Sequence, residues 1–377
     1  MRILTFLALN FFLMHCSTLQ RKIPKFLSDD KVKISAVGDI MSHQTQINSA
    51  FKRDCNCYNY LPVFEYVKPI FKRADFVIGN LETPLPGDPK DFSGYPTFGA
   101  PDELAFALKD AGFHLLTTSN NHSVDKGSKG IDHTLDVLDE LKLLHAGTYR
   151  SKEEFEKNRI LYFTENNIRF AFLSYSYSTN GILIPKSKVV NLIDKKKIRE
   201  DMNLINRELV DSIIVYFHFG TEYARIQDEF QKEIVNLAFD EGADIVLGGH
   251  PHVIQPYEFK KVRDKYGIEK KRLVIYSLGN FVSAQIKKHT TGGIIFNFTV
   301  RKIKNIFGKD EIEIEEVDYI PVYVYVYNQL GNYDYLILPI SQVLKNSSDI
   351  KITENAKKLM QEFLDATIKH LESNSIR

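Results

Sequence analysis

Apolar runs of strand length recur along the chain, and several break at polar residues with a glycine close by. Val32-Lys33-Ile34-Ser35-Ala36-Val37 leads into Gly38-Asp39, and Asp75-Phe76-Val77-Ile78-Gly79 leads into Asn80-Leu81-Glu82-Thr83-Pro84. Phe113-His114-Leu115-Leu116-Thr117-Thr118 ends in Ser119-Asn120-Asn121-His122-Ser123-Val124-Asp125. Ser212-Ile213-Ile214-Val215-Tyr216-Phe217 ends at His218-Phe219-Gly220, with Glu222 nearby, and Ala243-Asp244-Ile245-Val246-Leu247 at Gly248-Gly249-His250-Pro251-His252. A sixth run, Leu273-Val274-Ile275-Tyr276, reaches Ser277-Leu278-Gly279-Asn280-Phe281. Runs this short and this apolar read as buried strands. Helical spacing appears between them, at Asp102 to Ala111 and at Gly127 to Leu144, where Ile131, Leu135, Leu138 and Leu141 share a face. Ile160 to Ser174 reads as a hairpin turning at Glu165-Asn166-Asn167. A charged helix spans Lys195-Lys196-Lys197, and another helix ends near Gly242. Gly292 to Val326 alternates like strand, and a terminal helix starts at Thr353. The pattern predicts an α/β fold whose strands converge on one edge.

Composition narrows this picture. At 377 residues, 44% hydrophobic and 26% charged, the chain is a folded protein with room for a large core. A formal net charge of +1 gives no global field for nucleic acid, and none is expected as a partner. Met1-Arg2 and the apolar run Ile3 to Met14 read as a secretory signal. Cys16 then becomes a candidate lipidated first residue, so the protein is expected to be exported to the periplasm or cell surface with a lipid anchor. The expected division is a signal at 1–16, a tether at 17–31, a catalytic domain at 32–330 and an extension with a terminal helix at 331–377. Cys55 and Cys57 read as incidental thiols of a loop, because a disulfide across one residue is strained.

The strand ends carry the chemistry. An Asp just past a buried strand and freed by glycine is a common metal ligand at a sheet edge, although Asp39 could equally cap a helix starting at Ile40. Two imidazoles stiffened by Pro251 suit a divalent ion. Asp39, Glu82, Asn121, His218, His250 and His252 together mix hard oxygens with imidazoles, which fits two divalent ions, Mn, Fe or Zn, better than calcium or a cysteine-zinc site. Such ions lie roughly 3.5–4 Å apart and are held by a bridging carboxylate, here Glu82. His122 is the candidate proton donor, with Asp125 beside it. His43, Asn80 and Asn280 are candidates for substrate contacts. The aromatic, turn-rich stretch Phe92 to Pro101 is either a substrate-facing loop or a packed crossover.

At these residues the chain resembles the bacterial CapA family of capsule and poly-γ-glutamate synthesis proteins, a branch of the calcineurin-like metallophosphoesterases. The resemblance is carried by Val37-Gly38-Asp39-Ile40-Met41 and the five polar strand ends after it, in order over residues 32–285. It implies a four-layer α/β/β/α sandwich, with Asp39 and His252 on one ion and Asn121, His218 and His250 on the other. Glu82 would take the place of the bridging aspartate of ordinary phosphoesterases. Ser123 stands where phosphoesterases carry the acidic partner of His122, a role Asp125 could take. Met41 stands where they carry a histidine, which implies a weaker first ion unless His43 approaches. The function implied is an exported metal-dependent hydrolase acting on an anionic cell-envelope polymer or its phosphorylated precursor. The alternative is a non-catalytic surface lipoprotein that binds or threads such a polymer, and a third reading is a nucleotidase-like scavenger.

Overall fold

The computed structural model describes residues 26–305, 310–329, 332–345, 350 and 352–376. The signal read at 1–16, its Cys16 and most of the tether lie outside the described residues. Two sheets dominate. The larger has eight strands, with Asn332–Pro339, Asp310–Gln329, Gly292–Asn305, Phe26–Ile40, Phe76–Leu81, Leu115–Thr117 and Leu144–Ala146 side by side, and Asn280–Val282 pairing with the first strand's end. The smaller runs Tyr257–Arg263, Glu269–Ile275, Ile245–Gly249, Ser212–His218, Ile168–Ser176 and Leu161–Glu165.

Alternation along each strand builds the layers. On the first strand Val32, Ile34 and Ala36 face a core shared with Phe170, Phe172, Ile214, Tyr216, Ile245 and Leu247 of the other sheet. The intervening Val37 faces outward with Val77 and Leu116, where Leu104, Leu108 and Leu138 of the helices Glu103–Ala111 and Gly127–Glu140 cover them. On the smaller sheet Ile213, Val215 and Val246 face Ile198, Met202, Ile234 and Val235 of the helices Lys195–Leu204 and Glu229–Asp240. The result is the four-layer α/β/β/α sandwich expected. Each fully buried Leu, Ile, Val or Phe contributes about 1.5–3 kcal/mol.

Parallel pairing decides where the chemistry gathers. Phe26–Ile40, Phe76–Leu81 and Leu115–Thr117 run parallel, as do Ile168–Ser176, Ser212–His218 and Ile245–Gly249. Their carboxyl ends therefore open at one edge of each sheet, and the two edges meet.

Several local expectations change. The first strand begins at Phe26 inside the expected tether, because a ladder of charged pairs replaces apolar alternation there. Asp29 takes two hydrogen bonds from Arg301 at 2.6 and 2.7 Å, and Lys31 meets Glu315 at 2.6 Å. Cys55 and Cys57 are joined in a disulfide rather than free. Asn56 between them has φ +50, a left-handed turn that folds the two thiols toward each other at the end of a short hairpin. The helix from Gly127 stops at Glu140, and Lys142 at φ +53 turns the chain so that Leu144 starts a strand. The C-terminal segment is woven into the sandwich. Asn332–Pro339 forms an edge strand, and Met360, Phe363, Leu364 and Leu371 of the helix Glu354–Asn374 enter the inter-sheet core. Among the described residues no helix is long and apolar enough to cross a membrane.

Candidate metal centre

The first strand delivers Asp39 to the meeting edges. Gly38 before it has no space for a side chain, since a Cβ would lie 1.9 Å from the Gly279 carbonyl oxygen. The Asp39 N–H donates to that oxygen at 3.0 Å. Asp39 does not cap a helix: the strand runs on to Ile40, and the next helix starts at Gln44 with His43 at its N-cap. The opposing sheet makes a matching allowance at Gly249, where a Cβ would fall 2.1 Å from Tyr216 Oη and 2.6 Å from Asp39 Oδ1. Glycine there lets a carboxylate of one sheet lie against the backbone of the other.

From that contact the corner Gly248-Gly249-His250-Pro251-His252 turns back over Asp39. The His250 N–H donates to Asp39 Oδ2 at 3.2 Å, His252 Nδ1 lies 3.1 Å from the same oxygen, and Asn80 Nδ2 donates to Oδ1 at 2.8 Å. His250 and His252 take φ +96 and +58. Side chains other than glycine rarely hold such angles, at about 1–3 kcal/mol each, and strain of this kind gathers at functional sites. His218 at the neighbouring strand end sets Nε2 at 2.7 Å from Asn121 Oδ1 and 3.3 Å from Glu82 Oε1.

The donors converge in overlapping groups. Those of Glu82, His218 and His250 lie within 4.8 Å of one another, and so do those of Asp39, Glu82 and His252. Glu82 belongs to both groups, is fully buried, and neither of its oxygens has a hydrogen-bond partner among the described residues. His250 Nδ1 is likewise buried without a partner. Buried polar atoms left without a hydrogen bond are costly and rare. Oxygen and imidazole donors so gathered and so unpartnered fit divalent cations.

Electrostatics divides the cluster. Burial works to raise Asp39, but the His252 hydrogen bond and the His218 imidazole hold its carboxyl well below the usual range. Burial, reinforced by Asp39, pushes Glu82 well above it. Burial drives His218 down to about 3 and His250 well below the imidazole range. Burial opposes protonation of His252 too, yet Glu82 and the Asp39 hydrogen bond lift it to about 9. Neutral His218 and His250 keep their lone pairs available, and Glu82 as an anion is a position that a cation would relieve.

Beside the cluster His122 Nδ1 meets Asp125 Oδ2 at 2.7 Å. Ser123, at the position where an acid was expected, closes the turn instead: its hydroxyl lies 2.7 Å from both the Thr118 and Asn120 carbonyls. The Phe92 to Pro101 stretch faces this pair. The Phe98 N–H donates to Asp125 Oδ2 at 2.7 Å, and its ring meets His122 and His43 edge-on at 4.6 and 5.0 Å.

Other expected residues sit differently. Asn80 and Asn280 are fully buried. Asn80 serves Asp39 while its carbonyl takes bonds from Thr117 and Asn120. Asn280 Oδ1 lies 3.0 Å from His252 Nδ1, and its amide N–H groups go to Gln285 and Thr290. Both amides thus orient ligand candidates from behind instead of facing outward for a substrate. His43, lowered to about 4 by burial and then by His252, keeps a buried unpartnered Nε2, but joins none of the converging groups among the described residues. Met41 is buried and brings no nitrogen. A further group was not foreseen: Glu222 with His250 and His252, donors again within 4.8 Å. Its only signal in the sequence is a carboxylate four residues beyond His218.

Residues 33–285 match the family model described as "Bacterial capsule synthesis protein PGA_cap". "PGA biosynthesis protein CapA" of Bacillus subtilis (strain 168) is 29% identical over 304 residues, covering 79% of this chain and 76% of that protein. "Capsule biosynthesis protein CapA" of Bacillus anthracis is 29% identical over 292 residues, covering 74% of this chain and 66% of that protein. Among solved structures, calcineurin-like phosphoesterase YfkN from Bacillus subtilis is 10% identical, covers 91% of this chain and 99% of that one, and gives a TM-score of 0.42. That likeness is distant, and the layers described above stand on this chain's own sheets.

Proposed function

We propose, for a chain that belongs to the bacterial capsule synthesis protein family PGA_cap, that it is an exported metal-dependent hydrolase. Its substrate would be a capsule polymer, poly-γ-glutamate, another anionic envelope polymer, or a phosphorylated precursor of one. The polymer comes from the names of its relatives and the chemistry from the site. Anchoring through Cys16 would hold it at the envelope.

One observation carries the reading: Glu82 is shared by two donor groups while both of its buried oxygens lack hydrogen-bond partners. The groups correspond to two divalent ions of Mn, Fe or Zn, one on Asp39, Glu82 and His252, the other on Glu82, His218, His250 and Asn121. Ions so held supply Lewis acidity and make water acidic enough to serve as a nucleophile near neutral pH. The chain's own residues do the rest. Asn80 and Asn280 fix the directions of Asp39 and His252. Asp125 Oδ2, 2.7 Å from His122 Nδ1, would orient that ring as the proton donor to a leaving oxygen. Phe98 packs on that ring and keeps water from one side of it.

The test is elemental analysis of protein purified without chelator and resupplied with manganese. About two ions per chain are expected, falling in His250→Ala with the fold intact and hydrolysis of phosphate esters lost. A wild-type chain without metal would sink the hydrolase and favour the polymer-binding lipoprotein.

A further inference from the structure

Each donor group has an amide oxygen beside one of its histidines. Glu82, His218 and His250 have the Asn121 carbonyl beside them as a fourth donor, 2.7 Å from His218 Nε2. Asp39, Glu82 and His252 have Asn280 Oδ1 beside them in the same way, 3.0 Å from His252 Nδ1. The Asn80 carbonyl is taken up by Thr117 and Asn120, and the Asn280 N–H groups by Gln285 and Thr290. Met41, two residues beyond Asp39 and buried, offers only a soft thioether, a poor partner for an ion on carboxylates. Three protein donors leave a first-row ion open on its solvent side.

Glu222 lies beside both groups, its carboxylate converging with His252 of this one and His250 of the other. It is exposed, yet its carboxylate lies within 4.8 Å of donor atoms of His250 and His252. The backbone holds it there. After His218 the chain turns at Gly220 with φ +100 and again at Tyr223 with φ +66, and the Tyr223 N–H donates to the Pro251 carbonyl at 2.8 Å. This bond ties the segment to the residue between the two histidines. Lys287 Nζ sits 3.8 Å over the Tyr223 ring and braces the turn from outside.

We infer that Glu222 is a further protein ligand of the ion held by Asp39, Glu82 and His252, reaching it beside His252. The inference rests on the two-ion reading above. With three carboxylates and one imidazole this half is harder than its neighbour, which carries two imidazoles, so Mn(II) suits it better than it suits that neighbour. Being exposed, Glu222 is also the ligand that can swing away when an anionic group arrives.

The experiment is an Mn(II) titration of the full chain followed by electron paramagnetic resonance, comparing wild type with Glu222→Gln. Wild type should show two binding events. In the variant one dissociation constant should rise about ten- to a hundredfold, the scale on which loss of a supporting group weakens a metal site, while the other stays put. Two events with unchanged constants in Glu222→Gln would overturn the assignment of Glu222 alone. Fewer than two events in wild type would overturn the two-ion reading and the assignment with it.

Discussion

The strand Phe26–Ile40 carries an aspartate near each end, and the two live by different rules. Asp29 is 40% exposed and paired with Arg301, its carboxyl lowered chiefly by that hydrogen bond. Water surrounds the pair and salt screens it, so it trims the register of the ladder and little more. Asp39 is fully buried ten residues on, and its field is made of imidazoles, an amide and a backbone N–H of the other sheet. The same side chain is a surface ornament where it can be hydrated and the hub of a site where it cannot. What separates them is the layer of structure above each end, open at one and closed by the His250 corner at the other.

The same substitution at both ends probes that difference. Asp39→Asn should produce the largest effect: one bound ion lost by elemental analysis, together with that ion's share of the stabilisation by added Mn(II). For wild type that share amounts to about 2.7 kcal/mol at a hundred times the dissociation constant. Full metal content in Asp39→Asn would remove the contrast between the ends. Gly249→Ala comes next, because its Cβ would enter the space of Tyr216 Oη and Asp39 Oδ1. It should cost about 1–3 kcal/mol in denaturant unfolding and weaken metal binding by displacing Asp39. Asp29→Asn should do least, leaving metal content untouched and the unfolding midpoint nearly so, with any small shift vanishing at high salt. A metal-binding defect in Asp29→Asn would show that the far end of the strand communicates with the site.

Legibility in the sequence follows the same division. Wherever an apolar strand ran into glycine and then a polar group, local pattern sufficed, and Asp39, Glu82, Asn121, His218, His250 and His252 do meet in space. Where partners replaced pattern, reading failed. The residues before Val32 looked like tether because Asp29 and Lys31 are satisfied by Arg301 and Glu315, hundreds of residues away in sequence. The disulfide was hidden because it depends on a left-handed Asn56 that no spacing reveals. Glu222 looked incidental because an exposed loop carboxylate carries no periodicity, and two positive-φ residues, Gly220 and Tyr223, flank it. The inward duties of Asn80 and Asn280 became visible only once their partners had been placed.

The position of that first strand has a consequence for the order of events in the life of the molecule. It lies in the interior of the larger sheet, parallel to Phe76–Leu81 on one side and antiparallel to Gly292–Asn305 on the other. Pairing across so wide a gap in sequence is slow, since the loop must close before any contact rewards it. Until residue 305 has emerged from the ribosome, the strand bearing Asp39 keeps one edge bare, and the chain cannot finish its sandwich. For most of its synthesis the chain therefore stays unfinished. Folding and assembly of the donor cluster then fall together, late in that synthesis.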